Sequence, residues 1–205
     1  MIPKKIFTIW LSKDKEIPEL ESRCIESQKI DGYEHKLITL DNCFKDSRYI
    51  KECLASENWV KASDFLRIYY LYIEGGIYLD ADVEVLTNFD DLLGDRMFMG
   101  EEEAINFTSQ AILGSEAEHP TLGEYLNKLE QNFRGDGGLV FEAGMRLWTD
   151  VVSWADKDGL GIKIYPQEYF MPFDNITKRE NITLNSRTKH YFSSSWLPAK
   201  LQKTD

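Results

Sequence analysis

The sequence has few cysteines, fewer basic than acidic residues and no long apolar run. Its three cysteines, Cys24, Cys43 and Cys53, are odd in number and lack C-x-x-C spacing, which argues against a disulfide framework and favours a reducing compartment. No stretch approaches the roughly 18 apolar residues of a membrane span, and the basic start at residues 1–5 is not followed by the apolar run of a signal peptide. We therefore expect a cytoplasmic protein without a membrane span, for which peripheral membrane contact stays open.

Basic residues are outnumbered by acidic residues. Lys and Arg total 24 whereas Asp and Glu total 35, so the formal net charge is −11. A polyanion would be repelled by this field, and we therefore expect no nucleic-acid partner. A phosphate-bearing ligand stays compatible with the charge if a metal cation supplies positive charge locally.

The length of 205 residues and the hydrophobic content of 42% suit one globular domain. The first forty residues read as a strand at 5–11, a helix at 18–30 and a strand at 35–40, which is the order of a βαβ unit. The later predicted elements are helices at 60–74, 120–133 and 141–152, strands at 77–79, 83–86, 97–100, 110–113 and 162–165, and a loop at 135–138. This order predicts a single α/β domain with one sheet.

An acidic pair, Asp80-Ala81-Asp82, directly follows the predicted strand at 77–79. Ligands of open α/β sheets bind at this carboxyl edge, and alternate strand residues point the same way, so both carboxylates could converge. A divalent ion would relieve their repulsion, and oxygen ligands suit Mg²⁺ or Mn²⁺. The alternative is a strand end with two solvated acids, the interpretation we give to the second D-x-D, Asp156-Lys157-Asp158, which precedes a glycine.

Two charged residues, Asp64 and Arg67, interrupt the predicted helix at 60–74, which is otherwise apolar nearly all round and is therefore predicted to be buried. Residues three apart share one helix face, and buried charges are costly unless they are paired. The pair is either a structural ion pair or a grip on the hydroxyls of a polar substrate, to which a guanidinium donates and from which a carboxylate accepts hydrogen bonds.

Together these segments resemble a known family. The stretch KASDFLRIYYLY at 61–72, followed by GGIYLDAD at 75–82, is similar to the sugar-binding region of DxD-containing glycosyltransferases of the family 32 type, and distantly to the large clostridial glucosylating toxins. Matches at 2–10 (IPKKI and TIW) and at 190–196 (HYFSSSW) extend the resemblance. It implies a GT-A fold, with a Rossmann-like mixed sheet flanked by helices, and a metal-dependent retaining transferase.

The resemblance also implies substrates and roles. The donor would be a nucleotide sugar, with UDP favoured, the metal Mn²⁺ or Mg²⁺, and the acceptor a glycan or glycolipid of surface polysaccharide synthesis. Trp10 would stack on the nucleobase, and Asp64 and Arg67 would hold the donor sugar. Asp80 would reach ribose and metal, and Asp82 would ligate the metal. The implied catalytic residues are Arg67, Asp80 and Asp82.

Further site residues follow from the same resemblance. Ile9 and Ala81 belong to the implied donor-binding set. Ser195 and Trp196 would close over the diphosphate as part of a lid that limits donor hydrolysis by excluding water. His190 is a candidate third metal ligand, and its alternative is a histidine satisfied within the fold.

The implied organisation is one glycosyltransferase domain over 1–205, with the nucleotide-sugar part at about 1–100 and the acceptor part and lid at about 101–205. No nucleophilic carboxylate is evident, so front-face reaction and a covalent intermediate both stay open. One alternative is a haloacid-dehalogenase-like phosphohydrolase with Mg²⁺, which leaves the pair of Asp64 and Arg67 unexplained. Another is a non-catalytic nucleotide-sugar-binding module.

Overall fold

The structure is a computed structural model of the chain, and it describes residues 1–14, 16–102, 107–132, 145–174, 179–193 and 195. The predicted loop at 135–138, residues 141–144 of the predicted helix at 141–152, and Trp196 lie outside these ranges. None of the helices within them combines the length and the apolar character that crossing a bilayer requires.

The first half of the chain alternates strands and helices. Its elements are β1 (Lys5–Ile9), α1 (Glu19–Ser27), β2 (Glu34–Ile38), α2 (Arg48–Ala55), α3 (Trp59–Glu74), β3 (Gly76–Leu79) and β4 (Val83–Val85). Because β1 and β2 pair in parallel, the predicted βαβ unit is confirmed. Helix α2 is absent from the prediction.

The second half adds further strands and three helices within the described ranges. Its elements are β5 (Met97–Glu102), β6 (Phe107–Ser115), α4 (Pro120–Asn132), α5 (Met145–Lys157), β7 (Ile162–Tyr165), α6 (Gln167–Phe170), β8 (Phe173–Asp174), β9 (Arg179–Glu180) and β10 (Thr188–His190). The predicted strands and helices of this half are present, with longer bounds for β5 and β6. Helix α6 and the short strands β8, β9 and β10 are absent from the prediction.

A six-stranded mixed sheet in the order β2-β1-β3-β6-β5-β7 forms the centre of the described structure. Strand β1 runs parallel to β2 and β3, and β5 runs parallel to β7, whereas β6 runs antiparallel to β3 and β5. The prediction of an α/β fold with a mixed sheet flanked by helices is confirmed. The parallel neighbours β1 and β3 end at the same edge, which therefore receives Trp10 after β1 and Asp80 after β3.

Side chains on the two faces of this sheet form two apolar layers. On β1 the successive residues Ile6 and Phe7 enter different layers, and on β3 Ile77 and Tyr78 do the same, because neighbouring side chains of a strand point to opposite faces. Phe7 and Tyr78 share their layer with Leu66 of α3. The alternation thus directs Tyr78 toward the helix that carries Asp64 and Arg67.

Helix α3 begins after Asn58, whose side chain accepts a hydrogen bond from the Lys61 N–H, as an N-cap should. It ends at Gly75, which adopts a φ of 64°. The prediction that this helix is buried all round is wrong at two positions, because Val60 and Ile73 are 38% and 53% exposed. Val60 lines an open cleft, and Ile73 lies on the outer side of the helix layer.

The expectation of a single sheet is also wrong. After β3 the chain leaves the central sheet, and β4 pairs antiparallel with β10, which places His190 opposite Val83. A third sheet consists of β8 and β9. The pairing of β4 with β10 brings the C-terminal part of the chain beside the acidic pair.

The contact between Gly114 on β6 and the Phe98 ring tests the packing of the sheet. A Cβ at Gly114 would overlap the ring of the fully buried Phe98. We expect Gly114→Ala to lower the free energy of unfolding by about 1–3 kcal/mol, as overpacked cores do, in urea titrations. Gly94→Ala is the control, because a Cβ there meets nothing within 4 Å. Equal effects of the two substitutions would contradict the packing described here.

Candidate active site

An open cleft of about 550 Å³ lies where the central strands β1 and β3 end. Its walls come from the loop after β1, the first half of α3, the turn after β3 and the segment at and after β10. Every described member of the predicted site lines this cleft, namely Ile9, Trp10, Asp64, Arg67, Asp80, Ala81, Asp82, His190 and Ser195. Trp196, the remaining predicted residue, lies outside the described ranges.

Trp10 is held at both its backbone and its ring. Its backbone N–H donates to the Ile38 carbonyl at 2.8 Å, and its indole Nε1–H donates to the Glu16 carbonyl at 3.0 Å. The side chain is half-buried and borders the cleft. Because the indole N–H is engaged, the apolar ring of Trp10 is the part left to contact a ligand.

The acidic pair lies on a turn and not on a strand. The Val83 N–H donates to the Asp80 carbonyl at 3.1 Å, so the chain reverses between these two residues. The two carboxylates therefore approach each other because the backbone turns, and the predicted cause, alternation along a strand, is wrong. Their convergence is present nonetheless, because ligand atoms of Asp80, Asp82 and His190 all lie within 4.8 Å of one another.

The Asp80 carboxylate is oriented by two neighbours. The Tyr78 hydroxyl donates to its Oδ1 at 2.6 Å, and an Arg67 guanidinium nitrogen lies 3.5 Å from the same oxygen. Burial, followed by the negative charge of Asp80, holds the pKa of Tyr78 well above its ordinary value although Arg67 opposes this. Tyr78 therefore remains a hydrogen-bond donor to Asp80 at neutral pH.

Arg67 connects α3 to the sheet. Its guanidinium lies 3.2 Å from Asp64 Oδ1, donates to the Gln110 carbonyl on β6 at 3.0 Å and to the Ser63 carbonyl at 3.4 Å, and sits over the Tyr78 ring, 4.8 Å from the centroid. Asp64 and Arg67 thus form the ion pair that the sequence predicts. The pair also faces the cleft, so the structural and the substrate-binding interpretations are compatible.

Negative charge exceeds positive charge in this cleft. Among the described residues that line it there are three carboxylates, those of Asp64, Asp80 and Asp82, and one guanidinium, that of Arg67. Burial, together with the charge of Asp80, raises the pKa of Asp64 above its ordinary value despite the neighbouring Arg67. A cation bound near Asp80 and Asp82 would offset this excess.

Asp82 is bound by the C-terminal segment through both carboxylate oxygens. Oδ1 lies 3.2 Å from His190 Nε2, and Oδ2 accepts the Ser193 N–H at 2.8 Å. Burial raises the pKa of Asp82, but the His190 ring and the Ser193 N–H outweigh this and lower it to about 2. The carboxylate is consequently ionised across the physiological range and available to a cation.

The backbone of the C-terminal segment is strained at the point where it meets Asp82. Phe192 adopts a φ of 52°, a left-handed conformation that costs on the order of 1–3 kcal/mol for a non-glycine residue. The next residue, Ser193, donates its N–H to Asp82 and its hydroxyl to the buried Glu21 on α1 at 2.8 Å. These two hydrogen bonds offset the strain and fix the segment above the cleft.

Asp80, Asp82 and His190 fit a divalent metal by their chemistry and their spacing. Two carboxylates and one imidazole offer ligand atoms within 4.8 Å of one another, and two ligands bound to one Mg²⁺ lie at most about 4.2 Å apart. A small inward movement would bring them to one ion. The second D-x-D lacks such a setting, because Asp156, Lys157 and Asp158 are all exposed at the end of α5.

Sequence reasoning missed Tyr78, Ser193 and Glu21. Tyr78 lies two residues before Asp80 on the same strand, so strand periodicity could have placed it beside that carboxylate. The contacts of Ser193 with Asp82 and Glu21 join residues 111 and 172 positions apart, and no local pattern indicates them.

Removing the buried cation tests the charge balance. We expect Arg67→Met to lower the free energy of unfolding by about 3–5 kcal/mol at pH 7, because it leaves buried carboxylates without their partner. The pKa of Asp64, already raised, then rises further. The penalty therefore falls as the pH drops through the folded-state pKa and Asp64 takes up a proton. Urea unfolding at pH 7 and pH 5 measures the difference, and equal losses at both pH values would contradict this account.

The sequence matches a known family over the part that builds most of this cleft. Residues 8–99 match the family model described as a glycosyltransferase sugar-binding region containing a DXD motif. An uncharacterized glycosyltransferase of Acanthamoeba polyphaga mimivirus is 26% identical over 214 aligned positions, gaps included. The alignment covers 97% of this chain and 85% of the relative. The matched range includes Trp10, Asp64, Arg67, Asp80 and Asp82.

Solved structures share the fold. The PaToxG glycosyltransferase superposes with a TM-score of 0.62 at 19% identity, over 78% of this chain and 73% of its own. A glycosyltransferase involved in the glycosylation of the major capsid of PBCV-1 superposes with a TM-score of 0.50 at 9% identity, over 93% and 94% of the two chains. These likenesses concern the fold and confirm the GT-A type. By its sequence match over residues 8–99 and by its fold, the chain is similar to the DXD-containing glycosyltransferases.

Proposed function

We propose that this glycosyltransferase moves a sugar from a nucleotide sugar, with UDP as the favoured nucleotide, to a glycan or glycolipid acceptor, with a divalent metal bound and with retention of configuration. One observation carries the proposal. Asp80, Asp82 and His190 converge on one point of a cleft that is also lined by an aromatic ring and by a paired carboxylate and guanidinium.

Trp10 is proposed to bind the nucleobase. Its ring borders the cleft while its N–H is bonded to Glu16, so a flat base can stack on the ring without competing for that hydrogen bond. Stacking of a base on an aromatic side chain contributes about 1–3 kcal/mol. Ile9 and Ala81, which also line the cleft, complete the proposed donor-binding set.

Asp64 and Arg67 are proposed to hold the donor sugar. Arg67 donates to Gln110 and pairs with Asp64, so neither charge can rotate away from the cleft. A carboxylate accepts from sugar hydroxyls and a guanidinium donates to them. The rigidity of the pair would hold the sugar in one orientation, which keeps its anomeric carbon within reach of the acceptor.

Asp80, Asp82 and His190 are proposed to hold Mn²⁺ or Mg²⁺, with Mn²⁺ favoured. A bound divalent ion would offset the charge that develops on the diphosphate as the sugar leaves. Tyr78 and Arg67 would keep the Asp80 carboxylate in place, and the Ser193 N–H would do so for Asp82.

In the transfer, the bond between the anomeric carbon and the diphosphate oxygen breaks with its electron pair on the diphosphate. The acceptor oxygen bonds to that carbon and gives its proton to the departing diphosphate oxygen. The carboxylates among the described cleft residues are Asp64, Asp80 and Asp82, and each is engaged by a neighbour. This supports departure and attack on the same face of the sugar over a covalent intermediate.

Ser195 and Trp196 are proposed to close over the diphosphate as part of a lid. Ser193 anchors the C-terminal segment to Asp82 and Glu21, and Ser195 lines the cleft. Such a lid would exclude water from the donor. The division into a nucleotide-sugar part at about 1–100 and an acceptor part at about 101–205, the role in surface polysaccharide synthesis and the cytoplasmic location stay predictions.

The proposed ligands can be tested by binding. We expect UDP-sugars to raise the melting temperature in the presence of Mn²⁺, and GDP- and dTDP-sugars to do so less, because a ligand of the native state stabilises it. Trp10→Leu should weaken UDP binding by about 1–3 kcal/mol. Trp154→Leu, at a 41% exposed tryptophan on α5, is the matched control. A shift that is unchanged in Trp10→Leu would refute the stacking role.

The metal role can be tested by activity. We expect Asp82→Asn to lower Mn²⁺-dependent hydrolysis of the best UDP-sugar in that panel by about 100-fold or more, since loss of one stabilising group costs about 10²–10³ in rate. Asp158→Asn in the exposed second D-x-D is the control and should retain full activity. If Asp82→Asn kept full hydrolysis with Mn²⁺ present, the metal assignment would be wrong.

A further inference from the structure

A buried polar side chain lies behind the acidic turn, outside the cleft. Gln28, the residue that follows α1, is completely buried. Its Nε2 donates to the Asp80 carbonyl at 3.0 Å and to the Val83 carbonyl at 2.8 Å. One amide group thus holds both ends of the turn that presents Ala81 and Asp82.

The orientation of this amide is fixed by its partners. Backbone carbonyls only accept hydrogen bonds, so the NH₂ group of Gln28 must face the turn and its Oε1 must face away. There the buried Thr8 hydroxyl donates to Oε1. Since that hydroxyl proton is used, the His35 Nε2, at 3.1 Å from Thr8 Oγ1, carries a hydrogen and donates to it. The resulting chain of hydrogen bonds runs from β2 through β1 to the acidic turn.

The turn needs such support because it lies beyond the central sheet. The Asp80 N–H still donates to the Ala111 carbonyl on β6 at 2.9 Å, but after this bond the chain leaves for β4. Within the turn the Val83 N–H is bonded to the Asp80 carbonyl. Gln28 adds the two bonds that tie the turn to α1, and the Ser27 hydroxyl adds a third by accepting the Val85 N–H at 2.9 Å.

We propose that Gln28 is a positioning residue for the metal site. By binding the carbonyls of Asp80 and Val83, at the two ends of the turn, it sets the separation of the Asp80 and Asp82 carboxylates. The proposal rests on the proposed function, because it takes these carboxylates to be metal ligands. Residues behind the ligands of a metal typically change its affinity by about 10–100-fold when they are removed. Gln28 acts from the side opposite the cleft, so substituting it leaves every ligand atom present.

Two variants separate positioning from general stability. Gln28→Met keeps the length of the side chain and removes both hydrogen bonds to the turn. Thr8→Val removes the neighbouring hydrogen bond of the same chain and leaves both turn contacts intact. Both should lower the melting temperature, since each leaves buried polar groups without partners. They should differ in metal affinity, which a purely structural role would not produce.

The test is calorimetric titration of the metal-free protein with MnCl₂, without nucleotide. We expect Gln28→Met to weaken Mn²⁺ binding by about tenfold or more and Thr8→Val by less than about threefold. If Gln28→Met does not fold, Gln28→Asn serves, because its shorter amide cannot reach both carbonyls. Wild-type affinity in the Gln28 variant, or equal losses in the Gln28 and Thr8 variants, would overturn the positioning role and leave the proposed function standing. Absence of Mn²⁺ binding to the wild type would overturn both.

Discussion

The site depends on the placement of the Asp64 and Asp80 carboxylates around the Arg67 guanidinium, with the Asp82 carboxylate held beside them by the C-terminal segment. Arg67 lies within 3.5 Å of carboxylate oxygens of both Asp64 and Asp80, and further contacts tie it to β6 and to the Tyr78 ring. Charges removed from water are tolerated only when they are paired and hydrogen-bonded. The fold meets this requirement for Asp64 and Asp80 with α3 and β3, and for Asp82 with the C-terminal segment.

The second constraint is the departure of the chain from the central sheet after Leu79. If the strand continued in the sheet, the backbone N–H and carbonyl groups of residues 80–83 would form hydrogen bonds with neighbouring strands. In the turn, the Asp80 and Val83 carbonyls instead accept hydrogen bonds from Gln28, and β4 pairs with β10. That pairing places His190 opposite Val83. The departure of the chain from the central sheet therefore also brings a histidine beside the acidic turn.

Local patterns in the sequence predicted the elements that carry the site. The βαβ start, helix α3, strand β3 and the pair of Asp64 and Arg67 follow from periodicity and from the cost of burying charge. Helix α2 could have been predicted, because Ser47 caps it and its buried residues Tyr49, Ile50 and Cys53 repeat with helical spacing. The family match and the fold then confirm the resemblance on which the enzyme assignment rests.

The remaining parts of the site could not be predicted locally. The turn at Asp80–Val83 looks like a continuing strand, because Val83 and Val85 keep the alternation that a strand requires. The partners of Gln28 and Ser193 are 52 and 111 residues away, and a buried amide or serine carries no pattern of its own. Strand β10 is three residues long, too short to be distinguished from a loop.

The antiparallel contact between β4 and β10 has a consequence for biosynthesis. The ribosome synthesises Asp82 more than 100 residues before Ser193, which donates a hydrogen bond to it. A nascent or truncated chain that ends before β10 lacks both C-terminal partners of Asp82, His190 and Ser193. The cleft can therefore be completed only after residues 190–193 have been synthesised, and a prematurely terminated chain lacks the groups that orient Asp82.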